Sequence, residues 1–189
     1  MIQTRDRTEE PPRTCRNARP MPTAVDVGGD ISTRDLYEVA TSQRRVMLGG
    51  AAQSRMNASH AMLGRMVEER RRIYGVTTGY GPLASHPITP ENAELLQRNL
   101  VYHLCTGVGR PLSVIHTRAM MVARASSLAR GYSGISAPLF QTLLDCINIE
   151  LTPVVPEMGT VGASGDLTPL AHVALALMGE GEMWYRGTR

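Results

Sequence analysis

Residues 159 to 169 read Gly-Thr-Val-Gly-Ala-Ser-Gly-Asp-Leu-Thr-Pro. The centre of this run, Ala163-Ser164-Gly165, has the residue types needed to make an electrophile from backbone atoms. A glycine amide attacks the carbonyl two residues back only where the turn is tight and the side chains are small. Ala163 and Gly165 meet that condition, and Ser164 supplies a hydroxyl that can leave as water. Cyclisation with loss of two waters turns the tripeptide into a 4-methylidene-imidazol-5-one ring. Its methylidene carbon accepts an amine, which no ordinary side chain does. The rest of the composition sharpens the point. All 20 basic side chains are Arg. Without lysine there is no Schiff base with a substrate or with pyridoxal phosphate, and no phosphate-loop lysine. Amine chemistry in this chain therefore needs the Ala-Ser-Gly turn.

An electrophile that binds an amine calls for a base that removes a proton from the neighbouring carbon. That proton is weakly acidic, so the base must be strong and shielded from water. A tyrosinate in a positive local field meets the need. Tyr74 opens the stretch Tyr74-Gly75-Val76-Thr77-Thr78-Gly79-Tyr80-Gly81-Pro82, which is too rich in Gly and Pro for helix or strand. A loop of this kind can fold over a cleft as a lid. His103 lies on a mainly apolar helix face, where by itself it reads as a core residue. Asp166 reads as a cap or structural acid, His172 as structural, and Phe140 and Trp184 as packing residues. Cys15, Cys105 and Cys146 are far apart and odd in number. They form no metal-ligand set and no disulfide framework, and they read as reduced thiols in a cytoplasmic protein.

The elements that must position these groups are mainly helices. Residues 1–30 are rich in Pro, Arg, Thr and Glu without hydrophobic period, and are expected to be a disordered tail. Met21 is an alternative start. Ser32 or Thr33 caps a helix expected to carry Leu36, Val39 and Val46 and to end at Gly49-Gly50. A second helix is expected over about 55–72, with Met62, Leu63 and Met66 on one side. Its end, Glu68-Glu69-Arg70-Arg71-Arg72, reads as solvated, with cations favoured by the helix dipole. Thr89-Pro90-Glu91 starts a third helix, with Thr at the cap and Pro at the first position. Further helices are expected over about 113–130, 137–150 and 167–178. The last two are so apolar that burial all round is expected, in a bundle or a subunit interface. Pro153 and Pro156 break the chain before the glycine-rich turn, and residues 182–187 read as the start of a short hairpin.

Three motifs in order make this chain resemble the ammonia-lyase and aminomutase family, which builds a methylidene-imidazolone from its own backbone. The first is the run 159–169. The second is the stretch 74–81, similar to the family's lid motif, with Tyr80 where Phe is frequent. The third is Asn99-Leu100-Val101-Tyr102-His103-Leu104-Cys105-Thr106-Gly107. The resemblance implies a helical bundle of the fumarase/aspartase-like superfamily, with residues 31–189 as the N-terminal portion of a lyase domain. It implies that Ala163, Ser164 and Gly165 form the cofactor and that Tyr74 is the base. Gly81 falls where the family backbone approaches the bound amino acid. His103-Leu104 falls at the pair that touches the substrate side chain. Enzymes acting on tyrosine resemble His-Leu here, those acting on phenylalanine tend to Phe-Leu, and those acting on histidine to Ser-His.

The physical sense of that pair is direct. An imidazole can hydrogen-bond a phenol hydroxyl, and a phenyl ring leaves it unpaired at a cost of about 1–3 kcal/mol. The expected reaction is elimination of ammonia from L-tyrosine to give trans-4-coumarate. Tyrosine 2,3-aminomutase, histidine ammonia-lyase and an inactive fragment keeping only the scaffold remain open. The resemblance also implies a homotetramer whose sites combine residues of several subunits. Family features absent from this chain are a second lid Tyr, an Arg that grips the carboxylate, and the Asn and acidic residues around the amine.

Composition sets the outer bounds. The length of 189 residues suits one domain with a core. The net charge of +3 comes from spread basic residues and accompanies no nucleic-acid motif. No apolar run is long enough for a membrane span, and no metal is expected.

Overall fold

The computed structural model describes residues 23–162, 165, 167–186 and 188–189. The chain starts with the short strand β1 (Val25–Asp26) and the helix α1 (Thr33–Ala40). Next come β2 (Val46–Met47) and the long helix α2 (Gly50–Glu68). After the glycine-rich loop, α3 (Pro90–Leu104) leads to β3 (Val108–Pro111), α4 (Val114–Ala129) and α5 (Ala137–Asn148). The strands β4 (Leu151–Pro153) and β5 (Pro156–Met158) precede α6 (Leu167–Leu177) and β6 (Met183–Tyr185). The strands form three two-stranded ladders: β1 with β2 parallel, β3 with β5 antiparallel, and β4 with β6 antiparallel.

Local chemistry explains where the helices begin. Ser32 and Asp35 form a reciprocal capping box, each side chain taking the other's backbone N–H. The Ser113 hydroxyl accepts the N–H of His116 at the start of α4. Pro90 opens α3, where a missing N–H costs nothing. Helix α4 is the centre of the molecule. It packs against α1, α2 and α5, and Met121, Val122 and Ala125 on it are fully buried. Phe140, Leu144 and Ile147 of α5 and Met56 of α2 complete this core. Each large side chain so buried contributes about 1.5–3 kcal/mol. Helix α3 packs mainly on α6, and α6 joins the core through α5 and β4.

Arg118 of α4 ties the core together. It is only 3 % exposed. Its guanidinium donates to the carbonyls of Val39 (2.9 Å), Ala40 (3.0 Å) and Ile147 (3.0 Å). Those carbonyls sit in the last turns of α1 and α5, where helices leave acceptors without partners and favour a cation. Burial lowers the guanidinium's proton affinity, while the Glu150 charge works the other way. Asn148 does a related job for β2, donating to the Val46 carbonyl and accepting the Val46 N–H.

Several expectations from sequence need correction. The tail does not extend to residue 30, because Val25 and Val27 are buried and pair across to β2. Residues 1–22 lie outside the described residues. The first helix stops at Ala40, and Val46 enters the core from a strand instead. Helix α2 begins five residues before the expected start, and its buried residues are Ala52 and Met56 rather than Met62, Leu63 and Met66. The strand of the expected terminal hairpin also pairs over a long range, β6 with β4, while Tyr185 bridges antiparallel to Thr188 as a hairpin start would. The last two helices each keep an exposed edge, Leu139 on α5 and Leu167 on α6. The mainly helical architecture, the start of α3 and the exposed charged end of α2 match the sequence reading.

Candidate active site

The glycine-rich loop has a fixed shape. Thr77 and Thr78 are buried beneath it. The Thr77 hydroxyl donates to the Arg71 carbonyl and accepts the N–H of Ile73 (2.8 Å). The Thr78 hydroxyl donates to the Gly79 carbonyl at 2.9 Å. These bonds turn the loop on itself and carry Tyr74 outward, 67 % exposed. The far end of the loop returns to the same point. The N–H of Gly81 donates to the Tyr74 phenol oxygen at 3.0 Å. Two residues singled out in sequence are thus in direct contact. Such a bond strengthens when the oxygen carries charge.

Helix α3 supports both ends of the loop. Gln97 donates from its side-chain amide to the Gly75 carbonyl at 2.6 Å. Further along, the His103 ring lies 6.3 Å from the Tyr80 ring, tilted by 42°. His103 is exposed and Leu104 half-buried, so the helix presents the imidazole rather than hiding it in the core. The reading of His103 as a core residue is therefore wrong. Tyr102 faces another way, donating to the Glu180 carboxylate (2.7 Å) with Arg98 alongside (3.0 Å). The Tyr102 phenol, helped by Arg98, holds the Glu180 carboxyl below its ordinary range. This group locks α3 to the segment after α6.

The C-terminal end of α3 leads toward the Ala-Ser-Gly turn. A Cβ on Gly107 would meet His172 Nε2 at 2.9 Å and Pro156 at 3.1 Å, so a larger residue between α6 and β5 would have to displace the His172 ring or crowd Pro156. A Cβ on Gly159, where the chain enters the turn, would lie 3.0 Å from the Gly107 Cα. Ala163, Ser164 and Asp166 lie outside the described residues. Gly165 has a φ of +106°, a conformation closed to L side chains, and open space around it. The N-terminus of α6 follows at Leu167. The backbone of Gly165 and the α6 N-terminus two residues on fit an imidazolone built at this point, since a helix N-terminus favours negative charge. His172 of α6 is half-buried beside Gly107. Its Nε2 is without a partner among the described residues, and burial lowers its proton affinity.

The structure therefore brings Tyr74, Gly81, Tyr80 and His103 together, and it links them through α3 and Gly107 to the strand entering the turn. Sequence reasoning missed Gln97, the Tyr80–His103 contact and the Gly107–His172 approach. No motif marks them, and each is a contact between distant segments. Among the described residues no cluster of His, Cys, Asp or Glu is suited to a metal ion. No described helix is long and apolar enough to cross a membrane.

The family model for aromatic amino acid lyases matches residues 31–189. The tyrosine ammonia-lyase of Cereibacter sphaeroides is 48 % identical over 167 residues, covering 88 % of this chain and 32 % of that protein. The histidine ammonia-lyase of Symbiobacterium thermophilum is 44 % identical, covering 88 % of this chain and 33 % of its own. Among solved structures, the tyrosine aminomutase of Streptomyces globisporus superposes with a TM-score of 0.82 at 32 % identity, over 87 % of this chain and 31 % of that one. The chain spans about a third of the length of these relatives.

Proposed function

The chain belongs to the aromatic amino acid lyase family, and on that premise we propose that it holds the electrophile, base and selector of an enzyme releasing ammonia from L-tyrosine. The product is trans-4-coumarate. The observation that carries this reading is the convergence of the lid and the selector on α3, with Gly81 bonded to Tyr74 and Tyr80 set against His103. The 4-methylidene-imidazol-5-one from Ala163, Ser164 and Gly165 supplies an electrophilic carbon that makes the amine a better leaving group. Tyr74 takes a proton from the substrate β carbon. The electrons of that C–H bond become the new C=C bond, and the C–N pair leaves with nitrogen. His103 pairs with the phenol hydroxyl of the substrate, Leu104 packs beside the ring, and Gly81 leaves room for the amino acid backbone. A homotetramer that completes the site is the assembly expected from the family resemblance.

Histidine is the second substrate reading, since histidine ammonia-lyases match nearly as well as the tyrosine enzyme. The structural neighbour that is a tyrosine aminomutase keeps return of ammonia to the β carbon in view. Intact-mass measurement of this chain beside its Ser164→Ala variant tests the electrophile. Loss of two waters in the wild type alone is expected, because Ala has no hydroxyl to eliminate. Assays of the full-length protein on tyrosine, phenylalanine and histidine, with product analysis for β-tyrosine, then test the substrate. Turnover by Ser164→Ala at the wild-type rate would sink the imidazolone mechanism.

A further inference from the structure

We propose that Gln97 is a positioning residue for Tyr74, pinning the lid loop to the helix that carries the selector His103. The inference rests on the roles given above to Tyr74 and His103. Gln97 donates to the Gly75 carbonyl at 2.6 Å. Gly75 directly follows Tyr74, so this bond holds the peptide unit beside the base. The hydrogen bonds of Thr77 and Thr78 shape the loop by tying it to Arg71, Ile73 and Gly79. They set its form without reaching α3. Gln97 and the Tyr80–His103 contact instead set its place on α3. The two supports stand a little under two turns apart, roughly 9 Å along the axis. A rigid helix therefore measures the separation between the base's loop and the residue that grips the substrate ring.

The chemistry of the side chain suits this task. The Gly75 carbonyl only accepts, so its partner must donate and must reach across from α3. A Gln amide is a neutral donor of that length. A Glu carboxylate of the same length only accepts, and a Met of similar length has no donor. Misplacing a base by a fraction of an ångström slows proton transfer without weakening binding of the ground state.

The test is a series at residue 97 in the full-length protein: Gln97→Met, Gln97→Glu and Gln97→Lys. With Met, kcat is expected to fall about 3–10-fold, the loss that one hydrogen bond implies. Glu, which sets oxygen against oxygen, falls further. Lys, which keeps a donor at similar reach, regains most of the rate. KM, the two-water mass loss and the tyrosine-to-phenylalanine ratio stay near wild type, because the selector and the electrophile are untouched. A second readout needs no activity. Hydrogen exchange at the Gly81 amide of this chain should quicken in Gln97→Met, as Tyr74 loses its fixed place. Equal kcat across the series, or unchanged exchange at Gly81, overturns the positioning role. A wild-type protein that loses two waters yet turns over no aromatic amino acid overturns the underlying assignment instead, and the exchange result still reports on the contact.

Discussion

Tyr74 and His103, the proposed base and selector, are joined through a short list of contacts. The phenol oxygen of Tyr74 accepts the N–H of Gly81, and Tyr80 reaches the imidazole. In the proposed selector role, an exposed imidazole at the end of α3 discriminates by whether its ring nitrogen finds a partner. A phenol hydroxyl satisfies it, and a phenyl ring does not. His103→Phe should therefore move the tyrosine-to-phenylalanine ratio of kcat/KM toward phenylalanine by about tenfold or more, the equivalent of one lost hydrogen bond in a closed site. Competition assays with both amino acids measure the ratio directly. An unchanged ratio removes His103 from the selector role. Sequence pointed to both residues through their motifs. It misjudged the setting of His103, because an apolar helical period does not say which face an adjoining loop will share.

The helices owe their mutual placement to polar groups as much as to the apolar core. Arg118 donates to the carbonyls of Val39, Ala40 and Ile147, closing the ends of two helices from a third. Arg118→Met keeps much of the volume and removes a charged donor from three carbonyls at once, of which Val39 and Ile147 keep only a backbone N–H, from Ser42 and Glu150. Unfolding of the chain in urea should show a loss of about 3 kcal/mol or more. A loss within experimental error would mean that water or a neighbouring group takes over those carbonyls. Nothing near Arg118 in the sequence marked it. The residue lies mid-helix among Met120, Met121 and Val122, and its partners are remote in the chain. By contrast, the start of α3 at Pro90 was legible, since a Thr-Pro-Glu start is decided within one turn.

On the scale of the whole molecule, pH links the site's surroundings to stability. His172 is held below its ordinary value because burial disfavours its cation. The unfolded chain binds that proton first as the pH falls. The contribution is whole above about pH 6.5 and is lost progressively below it. The urea midpoint of the chain should therefore drop between about pH 7.5 and 5.5, above the range where carboxylates titrate. In His172→Gln this part of the slope should disappear. An identical slope in both proteins would place the titration elsewhere.

The sequence by itself determined the family, and it carries the motifs on which the proposed chemistry rests. The Ala-Ser-Gly turn, the lid and the His-Leu pair are each contiguous in the chain, so their residue types carry their meaning directly. It also determined most helices, because an apolar period and a cap are local. Only the tertiary structure decided that residues 25–27 join the core, that β6 pairs with β4, and that Gln97 and His103 support opposite ends of one loop. Strand pairs two or three residues long and single side-chain bonds across distant segments leave no periodic trace. They form only when packing has brought the two segments together, since the entropy of closing a long loop must be met by burial elsewhere.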